Sequence, residues 1–493
     1  MNFIKSISKI KCFIFITFIT GLCFTACLTN PSMDKAAGIN AIITIDIESR
    51  HQYVRGFGGM EVGWGNFPRT SRSDTELMYN PETGLGLNIL RIMIMPWNTD
   101  INLTMSQLIT STKPDYYENV KIVNKYGGYV LASPWTPPKE WKTNNSIHGS
   151  GRLLREYYQE YANYLKSFAL NMYQNGAPIY AVSIQNEPNY DADYDGCLWT
   201  STEMRDFFLQ VGRFTEGIRG YGGGKEIPSV RTMNGESANR VQINDAALNH
   251  PQSRAVIDII GRHTYGNRQV RYSRALDHPT DPKEVWMTEN NINSGDPEGY
   301  PNDSTWNYVW KLMNDIDLSI RLNDESAYIW WAAKRFYSFI GDGQWDTIEG
   351  EILPRGYGIS HYAKFARESY RVSVNASGKT GGGEIISTDN FNNPFYNADH
   401  TAARASAFVS PDGNIISLVM FTPTLTDGSG GVNMGTIKIQ LPENFIIGEA
   451  TAMRTTQDSY AQWEVIEINE DKNSALVTLP RGHILSVRFV RQD

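Results

Sequence analysis

Two glutamates stand at positions where side chains can do chemistry. Glu187 closes the run IYAVSIQN and precedes Pro188, and Glu289 closes EVWMT and precedes Asn290 and Asn291. Each follows a short apolar, β-branched stretch that reads as a strand running into a loop. A pair of carboxylates can divide the work at an acetal carbon. One protonates the leaving oxygen, and the other stabilises or attacks the anomeric carbon of an oxocarbenium-like transition state; a separation of about 5–5.5 Å gives retention through a covalent intermediate. In that division Glu187 holds its proton at neutral pH, with a raised pKa, and Glu289 stays ionised by accepting hydrogen bonds. One glutamate at a strand end could equally pair with an arginine or cap a helix, whereas two at separate strand ends with aromatic neighbours favour the paired role.

The elements that would position them recur along the chain. Between residues 53 and 370 the runs FGGM, NILRIMIM, GYVLASPW, IYAVSIQNEP, SVRTMNGES, DIIGRHTYG, EVWMTENN and AYIWWAAKRF alternate with amphipathic stretches. Eight such units predict a (β/α)8 barrel, an α/β fold whose active sites lie at the C-terminal strand ends. Glu187 and Glu289 then cap strands four and seven, across the barrel mouth from each other. The segment LLREYYQEYANYLKSFALNMYQNG predicts a helix, with Leu, Tyr and Phe at three- and four-residue steps and Gly176 as its stop. Residues 371–493 change to alternating short strands and turns such as NIISLVMFTP, GTIKIQLP and HILSVRFV, which predict an antiparallel β-sandwich; the strand-like segment 41–52 is expected to join it.

The runs SIQNEPNY (183–190), VWMTENN (285–291), VRGFGGM (54–60) and LASPWTPPKEWK (131–142) together resemble glycoside hydrolase family 30, in the clan of retaining barrel glycosidases, over nearly the whole mature chain. The resemblance implies that Glu187 is the general acid/base and Glu289 the nucleophile. It implies further that Asn186 hydrogen-bonds the sugar 2-hydroxyl, that Tyr265 in RHTYG holds the nucleophile, and that Trp135 and Trp331 wall the sugar subsites. Trp330 should point the other way along its strand, into packing. Arg91 in ILRI either supports the carboxylates or forms a structural salt bridge.

The end of strand eight, Trp331-Ala332-Ala333-Lys334-Arg335-Phe336-Tyr337, resembles the arrangement by which bacterial glucuronoxylanases of this family hold a 4-O-methylglucuronic acid branch. By that likeness Arg335 and Tyr337 grip the uronate carboxylate, as a guanidinium fork can, and the substrate is glucuronoxylan, cut within the β-1,4-xylan chain. Two departures stand out: Phe336 replaces the usual serine, and the loop NNINSGDPEGYPNDS after Glu289 lacks the aromatic pattern of those enzymes. An ion pair of Arg335 with Asp342 or Glu349 is the alternative. Other polysaccharides on the same scaffold (β-1,6-galactan, β-1,6-glucan or a β-glucoside) remain open, as does a lipoprotein that binds polysaccharide without cutting it.

No other chemistry is indicated. The eight histidines form no H-E-x-x-H motif, no G-x-S-x-G elbow is present, and neither a metal nor a cofactor is implied. The triple glycine at 222–224 reads as a loop, since no Ser or Thr follows Lys225 as a phosphate loop requires. With 45 Lys and Arg against 53 Asp and Glu, a net charge of -8, the 493-residue chain has no basic footprint for nucleic acid. Lys5, Lys9 and Lys11 precede an apolar run to Phe24, the layout of a secretory signal over residues 1–27. Phe24-Thr25-Ala26-Cys27 resembles a lipobox, so Cys27 is the expected lipidation site, residues 28–40 a tether, and the protein an exported monomer touching membrane only through that anchor. Of the four cysteines only Cys197 lies in the mature domain, which rules out a disulfide framework there.

Overall fold

The computed structural model describes residues 38–96, 103–149, 151–265, 271–291, 306–380, 383–386, 403–422 and 435–492. The expected signal, Cys27, most of the tether, the GSGG segment and residues 292–305 after Glu289 lie outside these. No helix among the described residues is long and apolar enough to cross a membrane.

Eight parallel strands close into a barrel: in chain order Gly56–Met60, Ile89–Ile94, Tyr129–Pro134, Ala181–Ser183, Arg231–Ser237, Ile259–His263, Glu284–Asn290 and Ala327–Trp330. Each coincides with one of the apolar runs of the sequence. Their residues are buried on both faces, as expected of strands with helices outside and a filled barrel inside. Ile89, Leu131, Ala181, Met233, Ile259, Trp286, Ala327 and Ile329 fill the interior. The alternate positions Leu90, Val130, Val182, Ile260, Val285, Tyr328 and Trp330 join the outer core with the helices. At the join of the first two strands a Cβ on Gly58 would sit 1.7 Å from the Ile89 carbonyl oxygen, so only glycine allows that approach.

The helix between the third and fourth strands spans Tyr158–Gln174, burying Tyr161, Leu165, Phe168 and Met172 on one face. Gly176, two residues past its end, takes a φ of +71°, the left-handed conformation in which helices commonly stop. The triple glycine forms the turn of a small hairpin, Gly220–Gly222 against Lys225–Ile227, with Gly223 and Gly224 both at positive φ.

The remaining strands build a ten-stranded, largely antiparallel sheet. Ala41–Val54 belongs to it, pairing antiparallel with Ser369–Thr380 and parallel with Thr436–Gln440. Side chains from opposite flanks of this sheet, Ile437 and Val477 on one and Ala452, Val487 and Phe489 on the other, share a single apolar core, so the sheet folds over on itself as a sandwich does. The helix Pro354–Phe365, after the eighth barrel strand, carries Ile359 and Tyr362 into one cluster with Phe408, Val419, Phe421, Met453 and Ile484 of the sheet. His361 crosses this junction, its two ring nitrogens hydrogen-bonding Ser486 Oγ at 2.8 Å and Thr455 Oγ1 at 2.9 Å. Burial pushes its pKa down to about 3.

Candidate active site

The upper layer of the barrel interior is polar. Arg91 follows Ile89 at the two-residue period of inward-facing positions, which carries its guanidinium to the barrel centre. Glu289 lies on the seventh strand, where simple alternation from inward-facing Trp286 would send it outward. A register shift between Met287 and Glu289 inserts one extra residue and turns the carboxylate inward. The fifth strand repeats the device: a shift between Asn234 and Ser237 aims Glu236 at the same centre. Gly261 leaves the room, since a Cβ there would lie 2.5 Å from Glu236 Cγ.

Glu187 stands four residues past the fourth strand with a φ of +46°, a strained conformation for a non-glycine residue and more so before proline. Its backbone N–H donates to the Glu236 carbonyl at 2.9 Å, which fixes this turn. Glu187, His263 and Glu289 each place one polar atom within 4.8 Å of the others. A cation could use that spacing, but hydrogen-bond donors already point at both carboxylates. Arg91 donates to Glu289 Oε2 at 2.5 Å and the Tyr265 hydroxyl to Oε1 at 3.0 Å. His263 Nδ1 lies 3.0 Å from Glu187 Oε1, and the Tyr194 hydroxyl donates to Oε2 at 2.6 Å. The second Arg91 nitrogen donates to Asn186 Oδ1 at 2.6 Å and lies 3.0 Å from Glu236, while its Nε donates to Ser133. Arg91 thus both supports the carboxylates and forms structural salt bridges.

The proton balance differs from the sequence expectation. Burial raises Glu187, but the hydrogen bond and charge of His263, with the Tyr194 hydroxyl and Arg91, outweigh it and hold this carboxyl below its usual range. Burial also raises Glu289, and here it prevails over the opposing charges of His263 and Arg91, helped by the negative charge of Glu187. The imidazole lies 3.0 Å from Glu187 and 3.9 Å from Glu289. The directions of the two shifts are the reverse of those expected from sequence.

Aromatic rings line one side of the mouth. Trp331 and Trp64 are half-buried, 5.7 Å apart between centroids, with Phe67 beside Trp331. Trp135 is buried beneath them, with the Arg91 guanidinium 4.8 Å over its ring. Trp135 supports the wall that Trp331 presents. Trp330 points away and packs near Phe339 and Arg355. Lys113 braces Trp64, donating to the carbonyls of Val62 and Gly63 under its ring. Trp64, Phe67, Tyr194 and Glu236 were not singled out in the sequence; Trp64 in VGWGNF and Tyr194 in DADYDG carry no motif that marks them.

Arg335 and Tyr337 are both buried in the loop after the eighth strand. Arg335 donates to the Asn66 carbonyl at 2.6 Å and meets Asp342 at 3.2 Å, with side chains 3% and 1% exposed, and its guanidinium lies against Phe67. The alternative ion pair with Asp342 is the one formed; Glu349 pairs with Lys334 instead. Tyr337 is buried against Phe336. A uronate at Arg335 would share the guanidinium with Asp342.

The barrel matches the family model described as the glycosyl hydrolase family 30 TIM-barrel domain over residues 78–296. Among curated proteins, glucuronoxylanase XynC of Bacillus subtilis strain 168 is 27% identical over 365 residues, covering 71% of this chain and 76% of that protein. Among solved structures, the family 30 subfamily 8 xylanase Xyn30A of Clostridium acetobutylicum superposes with a TM-score of 0.71 at 24% identity, covering 91% of this chain and 99% of that one. An endo-β-1,6-glucanase superposes at 0.61 with 16% identity, covering 92% and 96%. Likeness of that degree to solved structures shows the shared fold and leaves the glycan open. With two buried carboxylates converging over the mouth of a barrel that matches this model over most of its strands, the chain is a glycoside hydrolase similar to glycosyl hydrolase family 30.

Proposed function

We propose that the protein is a retaining, endo-acting hydrolase of β-1,4-xylan, with Glu187 as general acid/base and Glu289 as nucleophile. The observation that carries the mechanism is the spacing of the two carboxylates, oxygen to oxygen within 4.8 Å. That is the short separation of retaining enzymes, with no room for a water on the far face of the sugar. Xylan as substrate is supported by the B. subtilis relative. Export and lipid anchoring at Cys27 belong to this reading and rest on the leader alone.

In the first step Glu289 attacks the anomeric carbon while Glu187 gives its proton to the glycosidic oxygen, releasing the aglycone and leaving a glycosyl ester on Glu289. In the second, Glu187 takes a proton from water, which attacks the same carbon and frees Glu289. Arg91 and the Tyr265 hydroxyl orient Glu289 and balance its charge. Asn186, held by Arg91, is placed to bond a 2-hydroxyl. A sugar bound over the carboxylates excludes water and adds its own hydrogen bonds, and the first step requires the proton of the coupled pair on Glu187.

Branch recognition through Arg335 and Tyr337 is the narrower form of this reading. The relative's name supports it and the Arg335–Asp342 pair opposes it. The deciding experiment is a mass-spectrometric product profile on glucuronoxylan, arabinoxylan, linear xylo-oligosaccharides, β-1,6-galactan and β-1,6-glucan, with a 2-fluoro-xylobioside to trap the ester. Label on Glu289 and internal cleavage of xylan are expected. Products from another glycan alone would replace the substrate, and label elsewhere would overturn the roles.

A further inference from the structure

Glu187 is held by two donors of different character. His263, on the sixth strand, is buried beneath Oε1. Tyr194, on the loop after Glu187, reaches Oε2 from the open side: its residue is 43% exposed, and its ring lies 6.4 Å from that of Tyr190, 48% exposed. A general acid must come within about 2.6–3.2 Å of the oxygen it protonates. The Tyr194 hydroxyl sits 2.6 Å from Oε2, at the distance a glycosidic oxygen has to occupy. Oε1 faces the buried imidazole, so Oε2 is the oxygen open to a leaving group.

We propose that Tyr194 is a positioning residue on the leaving-group side: its hydroxyl occupies the place of the glycosidic oxygen at Glu187, it gives way when substrate binds, and with Tyr190 it forms the platform for the aglycone sugar. This rests on the reading of Glu187 as acid/base. Tyr194 gives way by rotation of a side chain on the open face, exchanging its hydrogen bond to Glu187 for one to water. Its departure removes a hydrogen bond that favours the ionised form of Glu187, which raises that carboxyl as the leaving group arrives. The proton then passes from Oε2 to the glycosidic oxygen as the bond to the anomeric carbon breaks. Once the aglycone leaves, the hydroxyl returns to Glu187, now the base for water. The phenol stays protonated throughout, because burial and Glu187 push its pKa far up. The other groups facing Glu187 are His263, Arg91, Glu289 and Tyr265, and none of them is exposed in this way.

The test uses the whole protein with Tyr194→Phe, Tyr194→Ala and Tyr190→Ala, on oligosaccharides and on aryl glycosides of good and poor leaving groups. In Tyr194→Phe the limb of kcat/KM that reports Glu187 should move up by about one pH unit, the effect of one hydrogen bond lost to a carboxylate. Its kcat/KM on a dinitrophenyl glycoside, which needs no acid, should change less than about threefold, and the shifted Glu187 limb should be seen on the poor leaving group. Both alanine variants should raise KM about tenfold on oligosaccharides extending past the cleavage point and leave KM for the dinitrophenyl glycoside unchanged. An unmoved Glu187 limb, or the same shift on every leaving group, would overturn the proposal. The glycosides are made from whichever glycan the wild-type protein cuts, so a failure of the xylan assignment shows as a different glycan and is distinct from a failure at Tyr194.

Discussion

Asp342 lies 3.2 Å from the guanidinium of Arg335, and both side chains are almost fully buried behind Phe67. The pair makes Arg335 a strut of the aromatic wall, holding the Asn66 carbonyl and the loop after the eighth strand together. Removing one partner leaves a buried charge uncompensated, at a cost of about 3–5 kcal/mol, while replacing both by residues of similar volume can be nearly neutral. Arg335→Met should therefore lower the thermal midpoint strongly, and Arg335→Met with Asp342→Leu should recover most of the loss. The activity prediction is separate: native glucuronoxylan and the same polymer with its uronates reduced to neutral sugars should be cut within about twofold of each other. A tenfold loss on the reduced polymer would restore the uronate pocket.

Glu289→Gln should abolish turnover, by about 10³-fold or more, while binding of xylo-oligosaccharides survives. Isothermal titration of the inactive variant checks both halves. Hydrolysis at the wild-type rate would sink the nucleophile assignment.

Glu187→Ala should split by leaving group. The acid contributes about 10²–10⁴-fold where protonation is needed, so xylan cleavage should fall by that factor. Ester formation from a dinitrophenyl glycoside should persist, and added azide should intercept the ester as a glycosyl azide of retained configuration.

Arg91→Lys keeps a positive charge but loses the fork that meets Glu289, Asn186 and Glu236 together. A single ammonium cannot reproduce these three contacts. A loss of about 10²-fold or more in kcat/KM is expected, with the limb of the pH profile that reports Glu289 displaced upward because Glu289 loses donors that favour its ionised form. Fold retention is checked by circular dichroism.

His361 gives a pH-dependent prediction remote from the site. Its pKa falls from 6.5 to about 3 in the folded protein, so the unfolded state binds more protons between those values. The stability that the neutral, doubly bonded ring contributes is complete above about pH 6.5 and is lost progressively on acidification toward pH 3. The thermal midpoint of His361→Gln should lie below wild type at pH 8, with the gap narrowing as pH is lowered to 5. A gap independent of pH would show that the histidine's titration does not matter.

The barrel was legible in the sequence because its information is local. Each strand is an apolar run of the right length, each connection has helical period, and the two-residue alternation that puts Ile89, Leu131 and Trp286 inside needs no partner to be read. The placement of Glu187 and Glu289 after the fourth and seventh runs follows from counting those units. The terminal strand Ala41–Val54 was also visible, since its alternating burial matches its alternating sequence.

What the tertiary structure decided lies in register and in choice of partner. Alternation alone sends Glu289 and Glu236 outward; the bulges that turn them in arise from pairing with the sixth strand, a property of two segments together. Arg335 had two acids within reach in sequence, and only the packed loop selects Asp342 for it and Glu349 for Lys334. The opposite shifts of the two carboxyls arise from burial, Arg91, Tyr194 and an imidazole 3.0 Å from one and 3.9 Å from the other, which composition cannot encode. Sequence carries periodicity and residue type along the chain. Which charge faces which depends on contacts between residues far apart in that chain, and those exist only once it has folded.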